Sequence, residues 1–453
     1  MTSTGPARAE IVVDPAAIRH NVRRLREIVG PGVAMMTVVK ADGYGHGRNE
    51  VARAARQAGA DWLGVATIDE ALALREAGDT GPVLCWLGVP GEQYADAIAA
   101  DIDVTAYSRA ELDEIVATGP RARVQLKVDT GLSRGGAARP DWQDLFAHAA
   151  ELERAGRLDI TGIWTHLAAG DEPDHPANDA QEAAFREAVE LAESLGVRPE
   201  LKHIANSAAA VLRPSARFNL VRCGIATYGL DPAPGHTSDL GLIPAMTVRA
   251  SLALSKPVAA GDGVSYGHTW IADRDTTVGL VPAGYGEGVP RAAGNVASVL
   301  VEGRRRSIRG RVCMDQFMVD LDGDLPPPGT DVVLFGPGTH GEPTAQDWAE
   351  ALDTINYEIV TRVGGRFVRR HVNQSPHESD SQAARQRRRA GGRRHGRRRC
   401  RRRPAQPGDR SPRGGRGHAV RLVAGARRCT SSPATASTCT PRSTSVTSRP
   451  RTS

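Results

Sequence analysis

The residues of this chain most able to do chemistry are cationic side chains placed where apolar runs end. Lys40 closes the run that opens VVKADGYGHG (38–47), and a glycine-spaced turn follows at once. Lys127 and Arg134 lie in LKVDTGLSRGG (126–136), His166 ends ITGIWTH, and Asn206-Ser207 follow LKHIA. Arg222 stands just before Gly224-Ile225. An ammonium at a buried strand end is costly unless something uses it. Singly, each residue has an ordinary account: His166 as a core histidine, Gly224 as a turn. Together, two lysines, two arginines and a histidine at one address need a strongly anionic ligand, and a phosphorylated cofactor fits.

That address depends on the elements. Eight short apolar runs (33–41, 61–66, 82–89, 101–108, 123–130, 160–168, 201–209 and 219–229) alternate with helical patterns. Helix-start signals fill the gaps: TIDE (67–70) and SRAE (108–111) are capping boxes, and Asp14-Pro15 sets a cap before proline. Apolar strands alternating with amphipathic helices predict parallel βα units. Eight of them predict a (β/α)8 barrel of the TIM type over 8–240, an α/β fold with its chemistry at the strand C-termini. The competitor, a doubly wound sheet, lacks its G-x-G-x-x-G after the first strand. From 241 to 373 the runs AMTVRASLALSKPV, TTVGLVPAGY and DVVLFG predict a mostly-β second domain with one helix, AQDWAEALDTI.

Residues 374–453 differ from the rest. They hold 21 Arg, no Lys, three acids and no aromatic residue. Of 58 basic and 52 acidic residues in the chain, 37 and 49 therefore remain in 1–373, so the body is net −12 and the tail net +18. The tail composition predicts disorder and nonspecific nucleic-acid contact at most, since no aromatics are interleaved for base stacking. Arginine without lysine, followed by a Ser/Thr/Pro run with cysteines, is also what an out-of-frame reading of a GC-rich gene gives. Six cysteines without paired spacing predict neither a disulfide framework nor a metal site. With no apolar leader and no membrane-length run, a cytoplasmic protein without membrane contact is expected.

The motifs VVKADGYGHG, KVDTGLSRGG, THLAAGD, HIANSAA, VRCGIATYGL, GVSYGHTW, PAGYGEGVPR, GRVCMDQ and TINYEIV, in order from about residue 8 to 370, resemble bacterial alanine racemase, a barrel-type pyridoxal phosphate enzyme. The resemblance implies racemisation of L- and D-alanine by a lysine and a tyrosine base, supplying D-alanine for peptidoglycan. Lys40 would be the Schiff-base lysine of pyridoxal 5′-phosphate. Tyr44, Ser207, Gly224, Ile225 and Tyr357 would hold the phosphate, and Arg222 the ring nitrogen. Tyr266 would be the second base. A free tyrosine, with a pKa about 10, is a poor base at neutral pH, so the resemblance implies a chain in which His166 contacts Tyr266 and Arg222 supports His166. Arg134 and the backbone of Met314 would take the substrate carboxylate, Tyr285 would gate the entrance, and Lys127 resembles a lysine that is carbamylated in some members of the family. Tyr266 and Met314 would come from the partner of a head-to-tail homodimer.

Two departures stand out: Cys223-Gly224 where the family pattern has Pro-Gly, and GYGEG (284–288) where GYADG is commoner. The tail has no counterpart. The alternatives are a broader amino-acid (serine) racemase, a barrel-type decarboxylase lacking the His166–Tyr266 chain, a non-catalytic single-barrel pyridoxal phosphate carrier, and a nucleic-acid-associated protein acting through the tail.

Overall fold

The structure, a computed structural model, describes residues 8–119 and 121–373. The expectations for 374–453 lie outside the described residues. All eight apolar runs form strands: β2 (Ala34–Val38), β3 (Trp62–Val65), β4 (Val83–Cys85), β5 (Asp103–Ala106), β6 (Ala122–Lys127), β7 (Leu158–Trp164), β8 (Leu201–His203) and β9 (Leu220–Cys223). They pair in parallel in the order β8-β7-β6-β5-β4-β3-β2-β9. Between β8 and β9 the ladder gives way to looser bonds. Asn219 Oδ1 accepts from Lys202 N at 2.7 Å, and Arg222 N donates to Ala205 O at 3.0 Å. The barrel is thus nearly closed.

The caps form as read. Asp14 accepts from Ala16 N at 2.8 Å ahead of Pro15. Thr67 and Glu70 make both halves of their box. Ser108 makes only its half, because Glu111 is drawn to Tyr107 N and the Tyr94 hydroxyl instead.

The second domain is built on a nine-stranded sheet and departs from expectation twice. First, β1 (Ala9–Val13), placed with the barrel on sequence, joins this sheet. It pairs antiparallel with Met246–Ser251 and in parallel with Val368–His371. Its Glu10 is buried and meets Arg249 Nε at 2.6 Å and Arg370 Nη2 at 3.2 Å. Second, the single expected helix is two, Ala345–Ala351 and Asn356–Arg362, separated at Asp353, whose φ of 53° breaks the first.

One loop departs from ordinary backbone. After β2, Ala41, Asp42, Gly43 and Tyr44 all have left-handed φ (52°, 53°, 63° and 51°). Such conformations cost about 1–2 kcal/mol per non-glycine residue, so the turn needs fasteners. Ala41 N donates to Glu70 Oε1 at 2.7 Å, and Arg48 N to Asp42 Oδ1 at 3.0 Å. Arg369 binds Asp42 at 2.6 Å, and His371 Nε2 meets His46 O at 2.8 Å, so the last strand clamps the turn. Gly45 (φ 79°) packs on the helix Asn356–Arg362, where an added Cβ would lie 2.5 Å from Val360 O. Gly45→Ala should therefore cost about 2–4 kcal/mol, read as a lower urea midpoint at constant slope. An unchanged midpoint would mean that the turn yields freely.

Candidate active site

At the C-terminal ends of the barrel strands lies a cavity of about 630 Å3. Four cations line it (Lys40, Lys127, Arg134 and Arg222), and no carboxylate does. Lys40 leaves β2 at the left-handed turn, its Nζ 5.9 Å from the centre of the Trp86 ring. Burial, then Arg134, lowers its pKa. Lys127 Nζ sits 4.5 Å over Trp164 and 5.2 Å over Tyr107. Burial, then Arg222 and Arg134, brings it down to about 8. Aromatic faces give these ammoniums partial compensation only.

A second group of donors faces them. Tyr44 stacks on Tyr228 with ring centres 4.7 Å apart and lies 6.2 Å from Tyr357. Burial raises the pKa of both Tyr44 and Tyr357, keeping their hydroxyls protonated. Ser207 Oγ accepts from Gly224 N at 2.8 Å. A Cβ at Gly224 would lie 2.5 Å from the Tyr44 hydroxyl, so that approach requires glycine. Hydroxyls beside the backbone of Gly224 and Ile225, among cations, form a donor set suited to a phosphate dianion.

Arg222 joins the pieces. It is buried, and burial pulls its pKa down to about 9, leaving it a cation at neutral pH. Its Nη1 donates to His203 Nδ1 at 2.9 Å. Its Nη2 meets Thr165 O, His166 Nδ1 and Ile204 O at 2.9, 3.0 and 3.1 Å. A guanidinium only donates, so His166 accepts at Nδ1 and carries its hydrogen on Nε2. Burial, then Arg222, holds His166 neutral, well below 6.5. The positive charge expected around His166 thus resides on Arg222, and His166 itself is neutral.

Ten of the thirteen predicted residues meet here: Lys40, Tyr44, Lys127, Arg134, His166, Ser207, Arg222, Gly224, Ile225 and Tyr357. Tyr266, Met314 and Tyr285 do not. They lie on the second domain and are 70%, 55% and 43% exposed. Tyr266 borders a separate cavity with His268 and Cys313, so one chain alone does not form the expected His166–Tyr266 contact. Tyr285 and Met314 neighbour each other through Tyr285 N to Cys313 O (3.0 Å) and Gly286 N to Met314 O (2.8 Å). The sequence reading missed the walls, Trp86, Tyr107 and Trp164, and His203 behind Arg222. Their signal was an aromatic or histidine within two residues of a strand's C-terminal end.

The chain matches two family models, "Alanine racemase, N-terminal domain" over residues 13–232 and "Alanine racemase, C-terminal domain" over 245–371. It is 53% identical to the alanine racemase of Streptomyces coelicolor over 379 residues, covering 81% of this chain and 96% of that protein. With the alanine racemase of Thermobifida fusca it shares 54% identity over 365 residues, covering 80% and 97%. The crystal structure of alanine racemase from the D-cycloserine-producing Streptomyces lavendulae superposes with a TM-score of 0.81 at 48% identity, covering 82% of this chain and 99% of that one.

Under the site, His46 is fully buried, its Nδ1 2.8 Å from Tyr44 O, and burial lowers its pKa to about 4. Below its ordinary 6.5 the unfolded chain takes up a proton here, while the folded chain does not until about 4. Stability should therefore fall as pH drops through that window. His46→Asn, which keeps a donor for Tyr44 O, should show a smaller fall in thermal midpoint between pH 7 and 5 than the parent. Equal falls would remove His46 as a source of acid sensitivity.

Proposed function

The chain belongs to the alanine racemase family, and we propose that it interconverts L- and D-alanine with pyridoxal 5′-phosphate, Lys40 and Tyr266 acting as bases on opposite faces of the substrate. The observation that carries this is the cationic, carboxylate-free cavity holding Lys40 at one end and a hydroxyl-rich phosphate cradle at the other. The match of the second domain to the family's C-terminal domain weighs against the single-barrel carrier.

When bound, the cofactor supplies an electron-withdrawing ring that acidifies the substrate's α-hydrogen. The chain supplies the rest. Tyr44, Ser207 and Tyr357, with the backbone of Gly224 and Ile225, would hold the phosphate. The Nε hydrogen of Arg222 meets no protein acceptor among the described residues and is free for the ring nitrogen. Because arginine gives up its proton so reluctantly, that nitrogen stays unprotonated, which limits electron withdrawal and discourages transamination.

Lys40, with its pKa lowered by burial and Arg134, is suited to take or return a proton at one face. Racemisation needs a group on the other face, and one chain leaves that side of the cavity without Tyr266. The reading is therefore a head-to-tail homodimer. The partner subunit's Tyr266 meets His166 Nε2–H, and the partner subunit's Met314 N–H joins Arg134 at the substrate carboxylate. Tyr285, neighbouring Met314, would line the entrance.

Lys127 would react as its neutral amine with carbon dioxide, forming an N–C bond and releasing a proton, to give a carbamate that compensates Arg134. A carbamyl signal in 13C NMR under labelled carbon dioxide should vanish in Lys127→Ala. No helix among the described residues is long and apolar enough to cross a membrane; we place the activity in the cytoplasm, feeding D-alanine to peptidoglycan.

The shared site has a direct test. Lys40→Ala and Tyr266→Phe homodimers should each be nearly inactive. Mixed after dissociation, they should recover activity up to about a quarter of the parent's, because half the dimers are hybrids with one intact site. No recovery, in a mixture shown to contain hybrids, would defeat the shared site. Racemisation surviving in Lys40→Ala would defeat the lysine assignment.

A further inference from the structure

The barrel lumen carries a row of polar side chains behind Arg222 that the mechanism above does not use. TIM-type lumens are normally filled with branched apolar residues, and a buried polar group costs free energy unless fully bonded. Here His203, at the end of β8, accepts from Arg222 at Nδ1. Its Nε2 lies 2.8 Å from Gln125 Oε1 on β6. Gln125 Nε2 donates to Asp103 Oδ2, at the start of β5, at 3.2 Å. Asp103 also accepts from Thr161 Oγ1 at 2.6 Å and Arg123 Nε at 2.7 Å. Gln125 and His203 are wholly buried and Asp103 nearly so. The row runs from the floor of the barrel to its mouth.

Its direction is forced from both ends. Arg222 can only donate and so needs a bare His203 Nδ1, and Gln125 Oε1 is what holds the hydrogen on Nε2. Asp103 accepts from Arg123 and Thr161, and its Oδ2 turns the Gln125 amide nitrogen toward it and leaves Oε1 for His203. Trp164 fixes the plane of His203, stacked with ring centres 5.6 Å apart and 7° between planes, and Arg222 lies over the same indole at 4.9 Å.

We infer that Asp103 and Gln125 are positioning residues for the racemase site: through the tautomer of His203 they hold Arg222 so that Nη2 reaches His166 and Nε faces the cofactor cavity. With the other tautomer, His203 would present an N–H to Nη1, and the guanidinium would have to turn away. The inference rests on the Arg222 role in the proposed function, and its test separates the two.

Gln125→Met keeps the volume and removes both ends of the amide. Its kcat should fall roughly tenfold or more with KM for alanine little changed. The 15N histidine spectrum should lose the His203 pattern of bare Nδ1 and protonated Nε2. The double variant Asp103→Asn with Gln125→Glu exchanges donor and acceptor along the row and keeps one negative charge. It should restore the histidine pattern and bring kcat to within about threefold of the parent.

Two results overturn the inference: a folded, cofactor-loaded Gln125→Met protein with parental kcat and histidine pattern, or a double variant no better than Gln125→Met in either readout. A parent with the expected histidine pattern but no racemisation would count against the proposed function while upholding the tautomer relay.

Discussion

The guanidinium of Arg222 can give hydrogen bonds but never take them, and this one-sidedness organises the barrel mouth in two directions. Outward, it makes His166 an acceptor at Nδ1 and leaves Nε2–H for whatever docks against the opening. Inward, it needs His203 as an acceptor, the state that the bond to Gln125 deep in the lumen supports. Carbonyls of Thr165 and Ile204 share the one hydrogen that remains on Nη2. A lysine here would offer a point charge without the planar fork, and both histidines would lose their fixed tautomers.

The second constraint is electrostatic. The body of the chain is net acidic, yet the cavity at the barrel mouth gathers four cations and has no carboxylate among its described lining residues. Burial and mutual repulsion lower the pKa of both lysines, so the free chain bears a cost that an anionic ligand offsets. The same concentration of charge weakens Lys40's hold on its proton, which a nucleophilic or basic amine requires.

Much of this was legible in the sequence, for local reasons. Lys40 and its glycine-rich turn are contiguous, and eight apolar runs with intervening caps point to a barrel whichever helix bounds are drawn. What stayed hidden was non-local or mis-signed. AEIVV gives no hint that its partners lie at 246–251 and 368–371. RVQLK alternates as though Arg123 and Gln125 faced solvent. In a barrel that face is the lumen, and Gln125 and Lys127 are buried there. Tyr266 and its expected contact with His166 were readable through the resemblance, but a single chain does not bring the two together.

The clamp on the left-handed turn has a consequence for how the molecule is made. Arg369 reaches back 327 residues to Asp42, and His371 reaches back 325 to His46. On the ribosome the lysine and its nearby fasteners, Arg48 and Glu70, are synthesised early and these two distant ones more than three hundred residues later. Barrel strands can ladder onto one another as they emerge, but the turn bearing the amine stays unset until the final strand slides in beside β1. A product truncated before that strand would keep its barrel strands and lack the clamp. Only a chain translated through His371 therefore carries every contact that holds the turn beside Lys40.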